Sequence, residues 1–188
     1  MNQESKNNLR PFHPHDFQDA FPLFKAEENR NLAYLDNAAT SQKPQAVIDS
    51  LVHYYSNTNS NIHRGVYRLS VESTNAYDRA RATVANNLNA TSPNEIDFVR
   101  GATEGINLVA RSFLQERLIP GDEILLTVTE HHANFVPWQM VAQATGAQLR
   151  LIPLLEDQTL DHEAGLDLLN ERTRFLALAH GSNATGNF

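Results

Sequence analysis

From about residue 96 to the end, short apolar runs alternate with stretches whose apolar residues recur every three or four positions. IDFVRG (96–101), PGDEILLTV (120–128), GAQLRLIPL (146–154) and TRFLALAH (173–180) have the length and side-chain content of buried strands. Between them, Ile106, Val109, Ala110 and Phe113 fall on one helical stripe, a helix is expected over Asn134–Thr145, and DHEAGLDLLNE (161–171) predicts another. Upstream, LAYLD (32–36) reads as a short strand. PQAVIDSLVHYYSN (44–57) reads as a helix opening at Pro44, a favoured first helical residue. Tyr77, Ala80, Val84 and Leu88 mark a further helix that stops before ATSPNE. Strands alternating with helices predict an α/β layer fold, a mainly parallel sheet flanked by helices. The polar first 30 residues, with one amphipathic stretch at HDFQDAFPLF, read as an N-terminal arm carrying a short helix, and residues 31–188 as one domain.

Composition narrows the chemistry. The 188 residues carry a formal charge of −7, which disfavours nonspecific contact with nucleic acid or an anionic membrane. No apolar run is long enough to span a bilayer and the first residues are too polar for a secretory signal, so the expected compartment is the cytoplasm. Cysteine is absent, which removes disulfides, thiolate metal sites and a cysteine nucleophile from these residues. Lysine is confined to Lys6, Lys25 and Lys43, while arginine continues throughout.

Four segments carry candidate chemistry. RGATEGIN (100–107) places a glycine, Ala102 and Thr103 between a strand and a helix. Free backbone N–H groups and a hydroxyl would then converge on an anion; the alternative is an ordinary threonine N-cap. TEHHANFVPW (129–138) places His131 and His132 just past a strand. Neighbours in extended chain face opposite ways, and no HExxH or cysteine accompanies them, so no metal site is read here. One ring stacking on a planar ligand and two ordinary loop histidines both remain open. NIHRGVYRLS (61–70) offers His63, with Arg64 and Arg68 as anion or salt-bridge partners. HGSNATG (180–186) offers Ser182 and Asn183 as ligand contacts or as turn formers.

Taken in order, YLDNAATSQKP, NIHRG, FVRGATEGINLVA, EHHANFVPWQ and HGSNATG closely resemble the Suf-type cysteine desulfurases. These are enzymes of the class V aminotransferase family that use pyridoxal 5′-phosphate (PLP) and adopt fold type I, the aspartate aminotransferase-like fold. The resemblance implies that His131 stacks over the PLP ring and takes part in proton transfer, and that Thr103 with the backbone at Ala102 binds the cofactor phosphate. It implies that Asn183 contacts cofactor or substrate carboxylate, and that His63 is a further active-site histidine. No role is implied for His132.

The implied reaction converts L-cysteine to L-alanine and passes the sulfur, as a persulfide, towards iron–sulfur cluster assembly. The implied partners are a second copy of the chain in a homodimer and a sulfur-acceptor protein of the SufE type. In the family the lysine that carries PLP lies well beyond the SN–G motif. So do the aspartate facing the pyridine nitrogen, the nucleophilic cysteine and the carboxylate-binding arginine. The expectation is therefore an N-terminal portion of the large PLP-binding domain, holding one wall of a site and inactive alone. A non-catalytic product that pairs with a full-length relative, and a portion of a selenocysteine lyase or another class V enzyme, are the alternatives.

Overall fold

The computed structural model describes residues 13–187. The chain divides into two compact units, Met1–Asp97 and Phe98–Phe188.

In the first unit, α1 (Pro14–Gln18) and a 3-10 turn (Pro22–Lys25) occupy the amphipathic stretch of the expected arm. Residues 1–12 of that arm lie outside the described residues. Helix α2 (Gln45–His53) continues into a π turn (Tyr54–Thr58), covering the predicted helix. Pro44 is its N-cap and not its first residue: at φ −65° and ψ 153° its backbone is still extended. LAYLD forms no strand, because no described segment pairs with it. Helix α3 (Arg68–Asn87) buries Ser70, Ser73 and Ala85. Its serines are bonded, with the Ser70 hydroxyl donating to the Asn61 carbonyl (2.7 Å) and accepting from the Gly65 N–H (3.0 Å). A side chain at Gly65 would meet Ser70 and Tyr67 at 2.6 Å, so only glycine allows this approach. In ATSPNE, Ser92 and Glu95 form a capping box on the 3-10 turn Pro93–Glu95.

The second unit holds the sheet, with β1 (Glu123–Thr127) central, β2 (Gln148–Ile152) on one side and β3 (Thr173–Ala177) on the other, all parallel. Helix α4 (Ala102–Val109) continues into a π turn (Ala110–Leu114), α5 (Val136–Thr145) joins β1 to β2, and α6 (His162–Asp167) precedes β3. Every residue of β1 is buried, as a central parallel strand covered on both faces requires. Ile124 and Leu126 share one face with Ala110, Leu114, Trp138 and Val141, and these form the core. On the β2 side, α6 approaches so closely that a side chain at Gly165 would lie 3.1 Å from Ile152 Cγ2.

Local chemistry sets the ends of these helices. Pro137 opens α5, and Gly146 closes it at φ +77°, donating its N–H to the Ala142 carbonyl (2.9 Å). Asp161 caps α6 by accepting from the Ala164 N–H (2.9 Å). Three of the four strands predicted from residue 96 onward form. IDFVRG does not, since Ile96 is extended (φ −107°, ψ 118°) but has no ladder partner among the described residues. The parallel sheet flanked by helices is otherwise the expected α/β arrangement. No helix among the described residues is long and apolar enough to cross a membrane.

Candidate functional site

The second unit carries Ala102, Thr103, His131 and Asn183, each on its own element or turn. Gly101 is the N-cap of α4 and offers no side chain to it. The first bond along the helix runs from the Gly105 N–H to the Gly101 carbonyl (3.1 Å), so the N–H groups of Ala102, Thr103 and Glu104 precede the helical ladder. Thr103 sits inside the helix, which sets aside the reading of it as an N-cap. Ala102 and Thr103 are both exposed, and a side chain built at Gly101 would meet nothing within 4 Å. The one acid in this first turn, Glu104, is bonded to Arg100. It accepts from the Arg100 N–H (2.6 Å) and from its guanidinium (3.1 Å). These bonds, the side-chain contact foremost, hold the Glu104 carboxyl below the usual carboxylate range. The N–H groups of Ala102 and Thr103 have no carbonyl partner in the helix and can donate to an external anion.

His131 stands at the next element. It caps the 3-10 turn His132–Asn134, and its Nδ1 accepts from the Ala133 N–H (3.1 Å). Because a backbone N–H can only donate, the neutral ring carries its proton on Nε2. His131 and His132 are both exposed, and their rings meet edge to face with centroids 6.3 Å apart. This differs from the opposed arrangement expected of extended chain, since the turn begins between them. Helix α4 packs against this turn, with Gly105, Ile106 and Val109 bordering the same depression as Asn134 and Trp138.

Asn183 is exposed in the turn after β3. Ser182 builds that turn, its hydroxyl accepting from the N–H groups of Ala184 and Thr185 (3.2 Å each). The turn-forming alternative therefore holds for Ser182, and Asn183 rides at its apex. A cavity of about 360 Å³, bordered by Thr127, Thr129, Ala179 and Ser182, opens at the carboxyl ends of β1 and β3. Ligands of open α/β sheets bind at such ends. His63 lies in the first unit. It adopts the left-handed conformation (φ 63°), its N–H donates to the Thr74 hydroxyl (2.9 Å), and its ring meets Tyr77 edge-on at 5.6 Å.

Glu130, a member of the EHHANFVPWQ motif to which no role was assigned, connects the histidine turn to the ends of β1 and β3. Glu130 accepts from the Thr127 hydroxyl (2.9 Å), from the Asn134 amide (2.7 Å) and from the Ala179 N–H (2.8 Å). Asn134 in turn accepts from the Trp138 indole (2.9 Å). The i, i+4 spacing of Glu130, Asn134 and Trp138 was visible in the sequence; the bond to Ala179 was not.

With this geometry, the chain matches the aminotransferase class-V family over residues 33–188. It belongs to that family. A probable cysteine desulfurase of Synechocystis sp. is 52% identical over 167 residues, 88% of this chain and 40% of the relative. Among solved structures of the family, the Escherichia coli cysteine desulfurase CsdA, crystallised in an S-sulfonic acid form, is 42% identical. It superposes with a TM-score of 0.80 over 95% of this chain and 44% of that one. The apo cysteine desulfurase of Thermococcus onnurineus NA1 is 32% identical, with a TM-score of 0.83 over 93% of this chain and 42% of that one. The chain thus spans less than half the length of each of these relatives.

Proposed function

We propose that these residues form the phosphate-binding and ring-stacking side of a PLP-dependent cysteine desulfurase of the Suf type. The observation that carries the reading is the packing of α4, with its uncapped N-terminus, against the turn headed by His131. Open space at Gly101, free donors at Ala102 and Thr103, and the bonding of Glu104 to Arg100 suit a phosphate dianion. An exposed imidazole fixed at Nδ1 suits a flat aromatic partner. PLP, when bound, supplies an electron sink for the carbon skeleton of an amino acid.

The chain's own groups then have separate tasks. Thr103 and the backbone at Ala102 hold the phosphate. His131 stacks on the ring, with Nε2 available to move a proton. Asn183 orients the ring or the substrate carboxylate, and His63 serves the substrate side. No lysine falls between residue 44 and residue 188, so covalent attachment of PLP does not come from that stretch. By similarity to the named relatives, the substrate is L-cysteine and the products are L-alanine and a persulfide for iron–sulfur assembly. A homodimer, an acceptor of the SufE type and a cytoplasmic location complete the reading. Residues 31–188 belong to the large cofactor domain and residues 1–30 to an arm.

The test is turnover by the protein as its gene encodes it, with PLP and L-cysteine, reading alanine and sulfide, and with L-selenocysteine in parallel. Preference for cysteine is expected. Failure to take up PLP at all, judged by the absence of its bound absorption band, would remove the cofactor reading. Preference for selenocysteine would move the protein to the lyase branch.

A further inference from the structure

We infer that Glu130 is a positioning residue that fixes His131 by accepting three hydrogen bonds at the junction of β1, β3 and α5. The inference deepens the cofactor reading and rests on it for His131's role. Glu130 immediately precedes His131, yet its side chain points into the fold while the imidazole stays exposed.

The polarity of the network is determined. The Trp138 indole can only donate, so Asn134 must present its carbonyl oxygen to it (2.9 Å). The Asn134 amide nitrogen must then donate to Glu130 Oε2 (2.7 Å). On the other oxygen, the Ala179 N–H can only donate (2.8 Å), and the Thr127 hydroxyl, rotating freely, donates beside it (2.9 Å). Three donors converge on the two carboxyl oxygens of Glu130, two on one and one on the other. The same turn is closed on the backbone side, where the Asn134 N–H donates to the His131 carbonyl (2.7 Å). His131 is therefore held between two bonds to Asn134, one through the main chain and one through Glu130. The bond to Ala179 also ties this turn to the strand end that leads into Ser182 and Asn183.

Glutamine at position 130 cannot replace the carboxylate. Its oxygen can serve Thr127 and Ala179, but its NH2 then faces the Asn134 NH2, donor against donor. Turning Asn134 over only moves the conflict to the indole. Aspartate at position 134 removes the conflict, since it accepts from both the indole and the new amide. The structure therefore demands reciprocity: E130Q and N134D should each break the chain, and E130Q/N134D should restore it.

The test uses the full protein with 15N label and 13C-labelled histidine, with and without PLP. Trp138 is the one tryptophan among residues 1–188, and its indole signal is assigned as the one lost in W138F. In E130Q, solvent exchange of that indole proton should quicken roughly tenfold, as loss of a charge-assisted bond implies. The His131 ring signals should shift or broaden in the absence of PLP. With PLP, the bound-cofactor absorption band should move. The double variant should return all three towards wild type. T127V, which removes one donor only, should produce a smaller change in the same direction and guards against a variant that fails to fold.

Unchanged indole exchange in E130Q, or a folded double variant no closer to wild type than either single one, would overturn the proposal. Altered exchange with an unmoved His131 signal would also overturn it, reducing Glu130 to a strand tie. If wild type shows no PLP band, the cofactor reading falls, while the His131 signal without PLP still decides whether Glu130 positions the ring.

Discussion

Two side chains carry most of the chemistry assigned to this chain, and they ask for different partners. Thr103 offers a hydroxyl beside helix donors that precede the ladder. Removing it as Thr103→Ala should weaken PLP about tenfold, the size of one hydrogen bond to a charged group, with the helix dipole retaining part of the affinity. Fluorescence titration with PLP checks this, and an unchanged affinity would place the phosphate elsewhere. His131 offers a ring face. His131→Ala should displace the absorption band of bound PLP and cut turnover sharply, while His132→Ala should do much less. Equal, mild effects would mean that neither ring stacks on the cofactor. At this scale the sequence was informative for a physical reason: a glycine before a helix, or a polar ring just past a strand, is placed by the backbone it belongs to. Glu130 escaped notice because its partner Ala179 is distant in sequence and presents only a backbone N–H, which no side-chain pattern reveals.

The central strand determines the stability of the sheet. Leu126 is fully buried between α5 and β1's neighbours, so Leu126→Ala should cost roughly 2–5 kcal/mol through lost transfer energy and a cavity. Urea unfolding followed by Trp138 emission measures it, because the indole is part of the same core. At the other end of β1, Asp122 accepts from the Ile119 N–H (3.0 Å) and from Arg174 (3.1 Å). The backbone bond first, and the arginine after it, depress its pKa below the ordinary 3.8. A depressed carboxylate contributes stability above its unfolded pKa and loses it as pH falls through the folded value. Asp122→Asn should therefore be less stable than wild type near neutral pH, and the gap should narrow as pH falls below the ordinary carboxylate value of 3.8. A gap independent of pH would assign the effect to packing. Strand and helix types were legible here because burial imposes its own period on the side chains. The bounds were less so: DHEAGLDLLNE contributes a helix only over His162–Asp167, since Leu168 and the residues after it turn back towards β3.

Across the whole chain, burial is uneven. Most fully buried apolar side chains, among them Leu114, Ile124, Leu125 and Leu126, belong to the unit Phe98–Phe188, and α2 in the other unit buries none of its residues. Amide hydrogen exchange should therefore be slowest in β1 and α5 and fast throughout α2, because local opening follows the density of buried contacts. Uniform protection across both units would contradict that gradient.

Several features were legible in the amino-acid sequence itself: the alternation of strand and helix, and the placing of Thr103 and His131 near element ends; the caps at Ser92, Asp161 and Gly146, seen in the structure, are equally local. Each depends on residues a few positions apart, so local chemistry suffices. The tertiary structure alone decided that β1 lies between β2 and β3, and that IDFVRG and LAYLD, though strand-like, join no ladder among the described residues. It alone tied Glu130 to Ala179. A strand is completed by the hydrogen bonds of a neighbour and a carboxylate by donors brought from afar, and neither partner is encoded in the segment that needs it.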